Sequence, residues 1–360
     1  MPDMEKASLE FLEKLLDTPS PSGCEEAAVK LWSKYAGRWA DRVEKDYHGN
    51  SIAILNEKGS PRVMLAGHID EIGFMITYIN GEGFLYFAQV GGHDRQIIQG
   101  MRVKIMTANG PVMGLLGKKP IHMMRGNDST KVPETDEMWI DIGAKNGKEA
   151  KKLVAVGDYA VTDMGFQKMR NDLAVARGFD DRIGAFVAVE ALRMLASGKK
   201  PTAAVYAVAT VQEEIGLRGA RTSTFRVDPQ IGIAVDVTFT ADCPGTSGLK
   251  ARIGETALGK GPALAKGPNI NPKVFDGLLA AAKRKNIPYQ VEAAPGGTGT
   301  DANAMQLTRG GVAAALVSVP NRYMHTPCEM VSLKDVENCS KLLAEYIREL
   351  GPRPNLIPSE

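Results

Sequence analysis

Five stretches of this chain carry side chains that bind divalent ions or move protons. They are His68 with Asp70, Asp180-Asp181, Glu213-Glu214, Asp236 and His325. Glu213-Glu214 closes an apolar run, residues 203–211, that reads as a buried strand. Neighbouring side chains of an extended segment point to opposite faces, so both acids can serve one site only if the strand has ended and turned. Gly216 and Gly219 supply such a turn. Two carboxylates at a strand exit can divide labour, one binding a metal and the other moving protons for a water on it. In a parallel α/β sheet the carboxyl ends of the strands gather on one edge, where residues distant in sequence converge. Two His and at least three carboxylates there suit two zinc-like ions, because imidazole and carboxylate both suit Zn²⁺ and Co²⁺. Three ligating carboxylates and a bridging hydroxide would balance the charge of two divalent cations.

Each group alone also has an ordinary role. His68 and His325 could be surface residues, Asp180 or Asp181 could cap the helix that starts near Arg182, and Asp236 could lie in a turn. A glycosidase using Glu213 and Glu214 needs carboxylates about 5 Å or more apart on opposite sides of a bond, which adjacent residues rarely provide, and it leaves both His idle. A carboxypeptidase or deacylase on a related two-metal scaffold, or a non-catalytic peptide-binding module, are the other readings.

The elements that must position these groups follow from periodicity. Residues 9–16 and 27–39 read as helices around a Pro- and Ser-rich breaker, and residues 51–55 and 62–66 as strands, the second running into Gly67-His68. From 74 to 163 the pattern changes to short strands with Gly turns, at 74–79, 84–90, 101–107, 112–116, 139–142 and 159–162, with one helical run at 148–153. Beyond Arg182 helices and strands alternate again. A helix runs through 196, strands follow at 203–211 and 231–235, a helix at 272–285, a strand at 289–292, a helix at 302–307, a strand at 313–319, and a last helix at 333–350 capped by Ser332. The expected fold is therefore α/β, a largely parallel sheet flanked by helices, formed by residues 1–73 and 164–360. Residues 74–163 are expected to form an inserted, small all-β, barrel-like domain.

Composition narrows the classes. The chain has 360 residues, 44% hydrophobic and 24% charged, with a net charge of +2 and both signs interspersed, so neither nucleic acid nor an anionic membrane is an expected partner. No apolar run approaches the roughly 18 residues of a membrane span, and the charged N-terminal segment has no signal-sequence pattern, so a cytoplasmic location is expected. Four scattered Cys without CxxC spacing offer neither a disulfide framework nor a thiolate zinc site.

The residues also carry a family resemblance. Ala66-Gly67-His68-Ile69-Asp70-Glu71-Ile72-Gly73, Gly178-Phe179-Asp180-Asp181-Arg182-Ile183-Gly184, Val211-Gln212-Glu213-Glu214-Ile215-Gly216, Ala234-Val235-Asp236-Val237-Thr238 and Arg322-Tyr323-Met324-His325-Thr326-Pro327 resemble, in order and spacing, the motifs of the M42 metallo-aminopeptidases. That family includes glutamyl and tetrahedral aminopeptidases. The resemblance extends to Gly117-Lys118-Lys119-Pro120-Ile121-His122 and Val156-Gly157-Asp158 in the inserted region. It implies two divalent metal ions per subunit, Zn²⁺ or Co²⁺, one held by His68, Asp180 and Asp236, the other by Asp180, Glu214 and His325, with Asp180 bridging. It implies that Asp70 orients the His68 imidazole and that Glu213 activates a metal-bridging water and then protonates the leaving amine. Short peptides cut from the N-terminus would be the substrates, and the assembly a homo-oligomer built from dimers, up to a tetrahedral dodecamer, with residues 74–163 as the dimerisation and oligomerisation region. Residues 295–303 resemble the family's Gly-Thr-Asp-Ala segment at the site, and read equally well as a plain strand-to-helix turn. His93 stands where the family resemblance implies an aromatic residue. It is read, with His122 and the turn residue His48, as a non-ligand.

Overall fold

The computed structural model describes residues 4–126 and 130–359. Its centre is a sheet whose strands run in the order Arg42–Lys45, Ser51–Leu55, Ala204–Thr210, Arg62–His68, Ile231–Phe239, Ala313–Arg322, Glu329–Ser332, Leu173–Ala176 and Gln167–Lys168, with Ala263–Lys266 and Gln290–Ala293 branching from the sixth. The four strands from Ala204–Thr210 to Ala313–Arg322 are parallel to one another, and so are the two branch strands. The remaining pairings are antiparallel. The sheet is therefore mixed, not largely parallel. Its parallel heart is fed by helical crossovers, whereas the flanks include short returns such as the turn between Arg42–Lys45 and Ser51–Leu55, which can join only antiparallel neighbours.

Strands Ser51–Leu55 and Ala204–Thr210 are buried along their whole length, which is why their sequences are continuously apolar instead of alternating. The helix Phe179–Ala196 packs on the parallel strands and is itself buried nearly all round. It lies so close to strand Arg62–His68 that a Cβ at Gly67 would fall 2.1 Å from the Gly184 carbonyl carbon. Only glycine allows that approach. Helices Lys6–Asp17 and Leu333–Glu349 pack beside it; Ser332 occupies the N-cap position of the last helix but makes no side-chain capping bond.

Five residues beyond His68 the chain enters a closed barrel of six strands, in the order Gly73–Ile79, Leu85–Val90, Met138–Asp141, Gly110–Lys118, Arg102–Thr107 and Tyr159–Thr162. Phe74, Ile76, Leu85, Ile105, Leu116 and Ile140 fill it, a core separate from the one around the large sheet. The region also holds the helix Gly147–Leu153 and 3-10 turns, so it is not purely β. The barrel segment Gly91-Gly92 reaches back to the large sheet: a Cβ at Gly91 would lie 3.3 Å from Glu214 Oε2, and one at Gly92 3.5 Å from His325 Nδ1. Among the described residues no helix is long and apolar enough to cross a membrane.

Candidate active site

The carboxyl ends of the parallel strands converge as the motif spacing requires. Strand Arg62–His68 ends on His68, which is buried. Strand Ala204–Thr210 stops before the two glutamates. Gln212 has φ +57°, and Gly216 closes the turn by donating its N–H to the Glu213 carbonyl. Both acids thereby face one side. Gly219 does not belong to that turn: it opens the helix Arg218–Val227 and sits where a Cβ would meet the Val211 backbone at 2.4 Å. Asp236 lies within strand Ile231–Phe239, not past its end, and its burial comes from the neighbouring strands.

The two aspartates before the long helix are distinguished by what their carboxylates touch. Asp181 accepts from the backbone N–H of Gly184 at 3.0 Å and of His68 at 3.1 Å, a helix cap that also ties the helix to the strand. Asp180 faces both imidazoles, Oδ1 3.1 Å from His68 Nε2 and Oδ2 3.2 Å from His325 Nε2. Glu213 lies 3.6 Å from His68 Nε2 and Glu214 3.5 Å from His325 Nε2. Two groups of donor atoms result, His68–Asp180–Asp236 and Asp180–Glu214–His325, each lying within 4.8 Å and sharing Asp180.

Asp70 does more than face His68. Its carboxylate lies 3.4 Å from His68 Nδ1, while the Asp70 backbone carbonyl is nearer, at 3.1 Å. The same carboxylate accepts the backbone N–H of Glu213 at 3.0 Å and of Glu214 at 3.2 Å, and the Ser22 hydroxyl at 2.6 Å. It therefore holds the glutamate turn as well as the imidazole.

Glu329 was not visible as a site residue in the sequence. It accepts from the backbone N–H of Asp180 at 2.8 Å and of His325 at 2.9 Å, pinning together the two segments that carry those ligand-type side chains. An acid four residues past His325, within an apolar stretch, is the signal that could have found it. Asp301, within residues 295–303, is buried and accepts the Thr210 hydroxyl at 2.6 Å. Of the remaining His, His122 is exposed and His48 sits in a turn held by Asp46. His93 is half-buried, stacked on Phe74 with centroids 4.4 Å apart and bonded through Nε2 to the Gly73 carbonyl, so it packs instead of facing solvent.

The electrostatics of this edge are those of too many acids. Burial, with Asp236, Asp301 and Glu214 nearby, pushes Glu213 up to about 10. Burial beside Asp180 pushes Glu214 up to about 8, and burial with the same neighbour takes Asp236 there too. Only Asp180 is held below the carboxylate range, because bonds from the two imidazoles outweigh its burial. His325 rises to about 9, chiefly through its bond to Asp180. Glu214 Oε1 is buried with no hydrogen-bond partner. A donor set of imidazole and carboxylate with excess negative charge and an unpartnered oxygen fits divalent cations of the Zn²⁺ or Co²⁺ kind.

Comparison with known proteins accords with this geometry. The model of the M42 glutamyl aminopeptidase family matches residues 49–342. The chain belongs to the M42 family. It is 38% identical over 350 residues to the lysyl aminopeptidase of Pyrococcus furiosus, covering 95% of this chain and 97% of that one. The TET aminopeptidase of a marine-sediment Thaumarchaeota archaeon superposes with a TM-score of 0.91 at 36% identity, covering 96% of both chains. The TET1 peptidase of Pyrococcus horikoshii, which can assemble into a tetrahedron or a large octahedral shell, superposes at 0.84 with 32% identity, covering 95% of this chain and 100% of that one. This M42 protein is accordingly an aminopeptidase, an enzyme that hydrolyses N-terminal residues.

Proposed function

We propose that this M42 enzyme removes residues from the N-termini of short peptides with two divalent ions, Zn²⁺ or Co²⁺. His68, Asp180 and Asp236 would hold one, and Asp180, Glu214 and His325 the other. The observation that carries the reading is the pair of donor groups sharing Asp180, with Glu213 beside them and outside both. Bound ions would polarise the scissile carbonyl and lower the pKa of water. The charge of bound cations would return Glu213 to its ionised form, and as the general base its carboxylate, half-buried at the pocket wall beside His68, takes a proton and returns it to the departing amine. Asp70 fixes the turn that presents it, and Glu329 holds the backbone of Asp180 and His325. The carboxylates around the pocket also attract a free N-terminal amine, which favours an aminopeptidase over a carboxypeptidase or deacylase.

The test is hydrolysis of short peptides with free and N-acetylated termini by metal-loaded protein, beside Glu213→Gln. Stepwise loss of N-terminal residues from free peptides alone, absent in the variant, is the expected result; cleavage of acetylated peptides would overturn it. The assembly is proposed to be a homo-oligomer, as in the Pyrococcus horikoshii relative. Apolar side chains exposed on the barrel region, Met113, Leu115, Ile121 and Met123, support this. A stable monomer by light scattering would remove it.

A further inference from the structure

The pocket that holds the candidate metal ligands continues past them as a cavity of about 570 Å³, and its far wall has its own chemistry. Strands Ala263–Lys266, Gln290–Ala293 and Ala313–Arg322 lie side by side, with Ala263 opposite both Gln290 and Ser318 and Ala265 opposite Glu292. Cross-strand partners share a face, as do residues two apart, so Ala265, Glu292, Leu316 and Ser318 all belong to one surface. All four line the cavity. Ser318 is also the register partner of Asp236, so this surface is continuous with the candidate metal ligands.

Glu292 is the one ionisable side chain on the cavity wall outside the cluster of His68, Asp180, Glu213, Glu214, Asp236 and His325. No Lys or Arg pairs with it among the described residues. The adjacent Lys266 points to the opposite face, where its Nζ lies 5.4 Å from the centroid of the Phe275 ring, and Arg322 is taken by Asp242. Burial raises the Glu292 carboxyl above the usual glutamate range, and the Thr238 hydroxyl opposes this only in part. A second polar group points to a ligand independently: Ser318 is 1% exposed, lines the cavity, and its Oγ has no hydrogen-bond partner. Between Glu292 and the cluster the wall is apolar at Ala265, Leu316 and Met324, while Ser318 sits at the cluster end beside Asp236.

An apolar channel that ends in a carboxylate without a cationic partner matches a long aliphatic stem with a cationic head. We infer that the enzyme selects peptides whose N-terminal residue is Lys or Arg, with Glu292 as the residue that determines this specificity. An acidic N-terminal side chain would meet like charge there and be disfavoured.

The turnover arm of the test rests on the aminopeptidase reading, so a binding arm accompanies it. Peptides identical except for N-terminal Lys, norleucine or Glu are compared by kcat/KM with metal-loaded wild type, Glu292→Gln and Glu292→Asp. Wild type should favour Lys over norleucine roughly 10- to 100-fold, the value of a charge-assisted bond in a pocket. The ratio should collapse towards one in Glu292→Gln and be partly kept in Glu292→Asp. Calorimetry with lysinamide and norleucinamide should show the same ratio in binding. A wild-type ratio near one, a preference for Glu, or a Lys preference unchanged in Glu292→Gln overturns the inference. Preferential lysinamide binding that disappears in Glu292→Gln, with no peptide cut, would uphold the inference and overturn the aminopeptidase reading.

Discussion

Two clusters of buried charge start within three residues of each other and solve opposite problems. Glu71 is 1% exposed and faces two guanidinium groups, Arg182 at 3.1 Å and Arg177 at 3.4 Å. Arg182, fully buried, also donates to the carbonyls of Leu15, Leu16, Thr18, Arg177 and Gly178, so it stitches the first helix to the loop before the long one. The acid there is met by the chain's own cations, two guanidinium groups to one carboxylate, and among the described residues only Arg177 Nε of the two guanidinium groups lacks a hydrogen-bond partner. At the strand ends nearby, Asp180, Glu213, Glu214 and Asp236 have two imidazoles between them, and three of the four are pushed above the carboxylate range by burial and mutual repulsion. A buried cluster balanced in this sense, its acid met by the chain's own cations, is structural. An acidic one of this size is held in place by the fold and is where the proposed cations would supply the missing charge.

The largest expected effect lies in the acidic cluster. Replacing Glu213 by Gln removes the proton carrier but neither donor group, so turnover should fall by about 10²- to 10⁴-fold. Metal content, measured by elemental analysis, should stay the same. Loss of metal along with activity would mean Glu213 is a ligand and the division between the two glutamates is wrong. Next is Arg182→Met in the balanced cluster, which strands Glu71 and several carbonyls in the interior. Urea unfolding should show a loss of about 3–5 kcal/mol. A loss under about 1 kcal/mol would mean that Arg177 alone neutralises Glu71.

Removing ions separates the clusters directly. With free Zn²⁺ or Co²⁺ at about 100 to 1,000 times its dissociation constant, each site should add about 3–4 kcal/mol to stability, lost on chelation. The thermal midpoint should drop accordingly, and in Arg182→Met it should drop by a similar amount from its lower start. A midpoint insensitive to chelators would leave the acidic cluster without its proposed occupant.

How far these clusters could be read from sequence follows from their chemistry. His68, Glu213, Glu214 and Asp236 close apolar runs, so their types and their rough places were legible; His325 ends no such run and Asp180 has an aspartate neighbour, so both were placed through the family resemblance. The alternative caps resolved only in three dimensions, because Asp181 gives its carboxylate to the backbone of His68 and Gly184 while its neighbour faces the imidazoles. Glu329 and Glu292 were missed, since each sits in a short strand whose partners are distant in the chain. The sheet was expected to be largely parallel because the helix–strand alternation reports its centre; the short strands Arg42–Lys45, Gln167–Lys168 and Leu173–Ala176 carry too few residues to show a period.

A third way of holding a buried acid gives a smaller effect with a definite sign. Asp335 is fully buried and accepts only backbone N–H groups, from Gly259 at 2.6 Å and Gly261 at 2.8 Å. Burial outweighs those bonds and raises it to about 6. A folded pKa above the unfolded value of about 3.9 means the native state binds the proton more tightly, so this group's contribution is full below pH 4 and is lost as pH rises to 6. The loss should be about 1–3 kcal/mol, seen as a difference in pH dependence between wild type and Asp335→Asn. A difference that stays constant across that range would show the two N–H bonds to be sufficient compensation.

The smallest expected change is the sharpest for the comparison. Glu214→Gln in metal-stripped protein, compared with wild type above pH 8 where the Glu214 carboxyl is ionised, removes one negative charge beside Asp180 and keeps the side chain's shape. Because Glu214 Oε1 has no hydrogen-bond partner among the described residues, only the His325 imidazole at 3.5 Å, and Asp180 repels the charge, neutralising it forfeits little. Unfolding free energy should stay within about 1 kcal/mol of wild type or rise. The same variant should lose part of the stabilisation that added metal gives wild type. Were the metal-free variant instead destabilised as much as Arg182→Met, Glu214 would have an internal partner comparable to the one Glu71 has, and charge balance would no longer tell the two clusters apart.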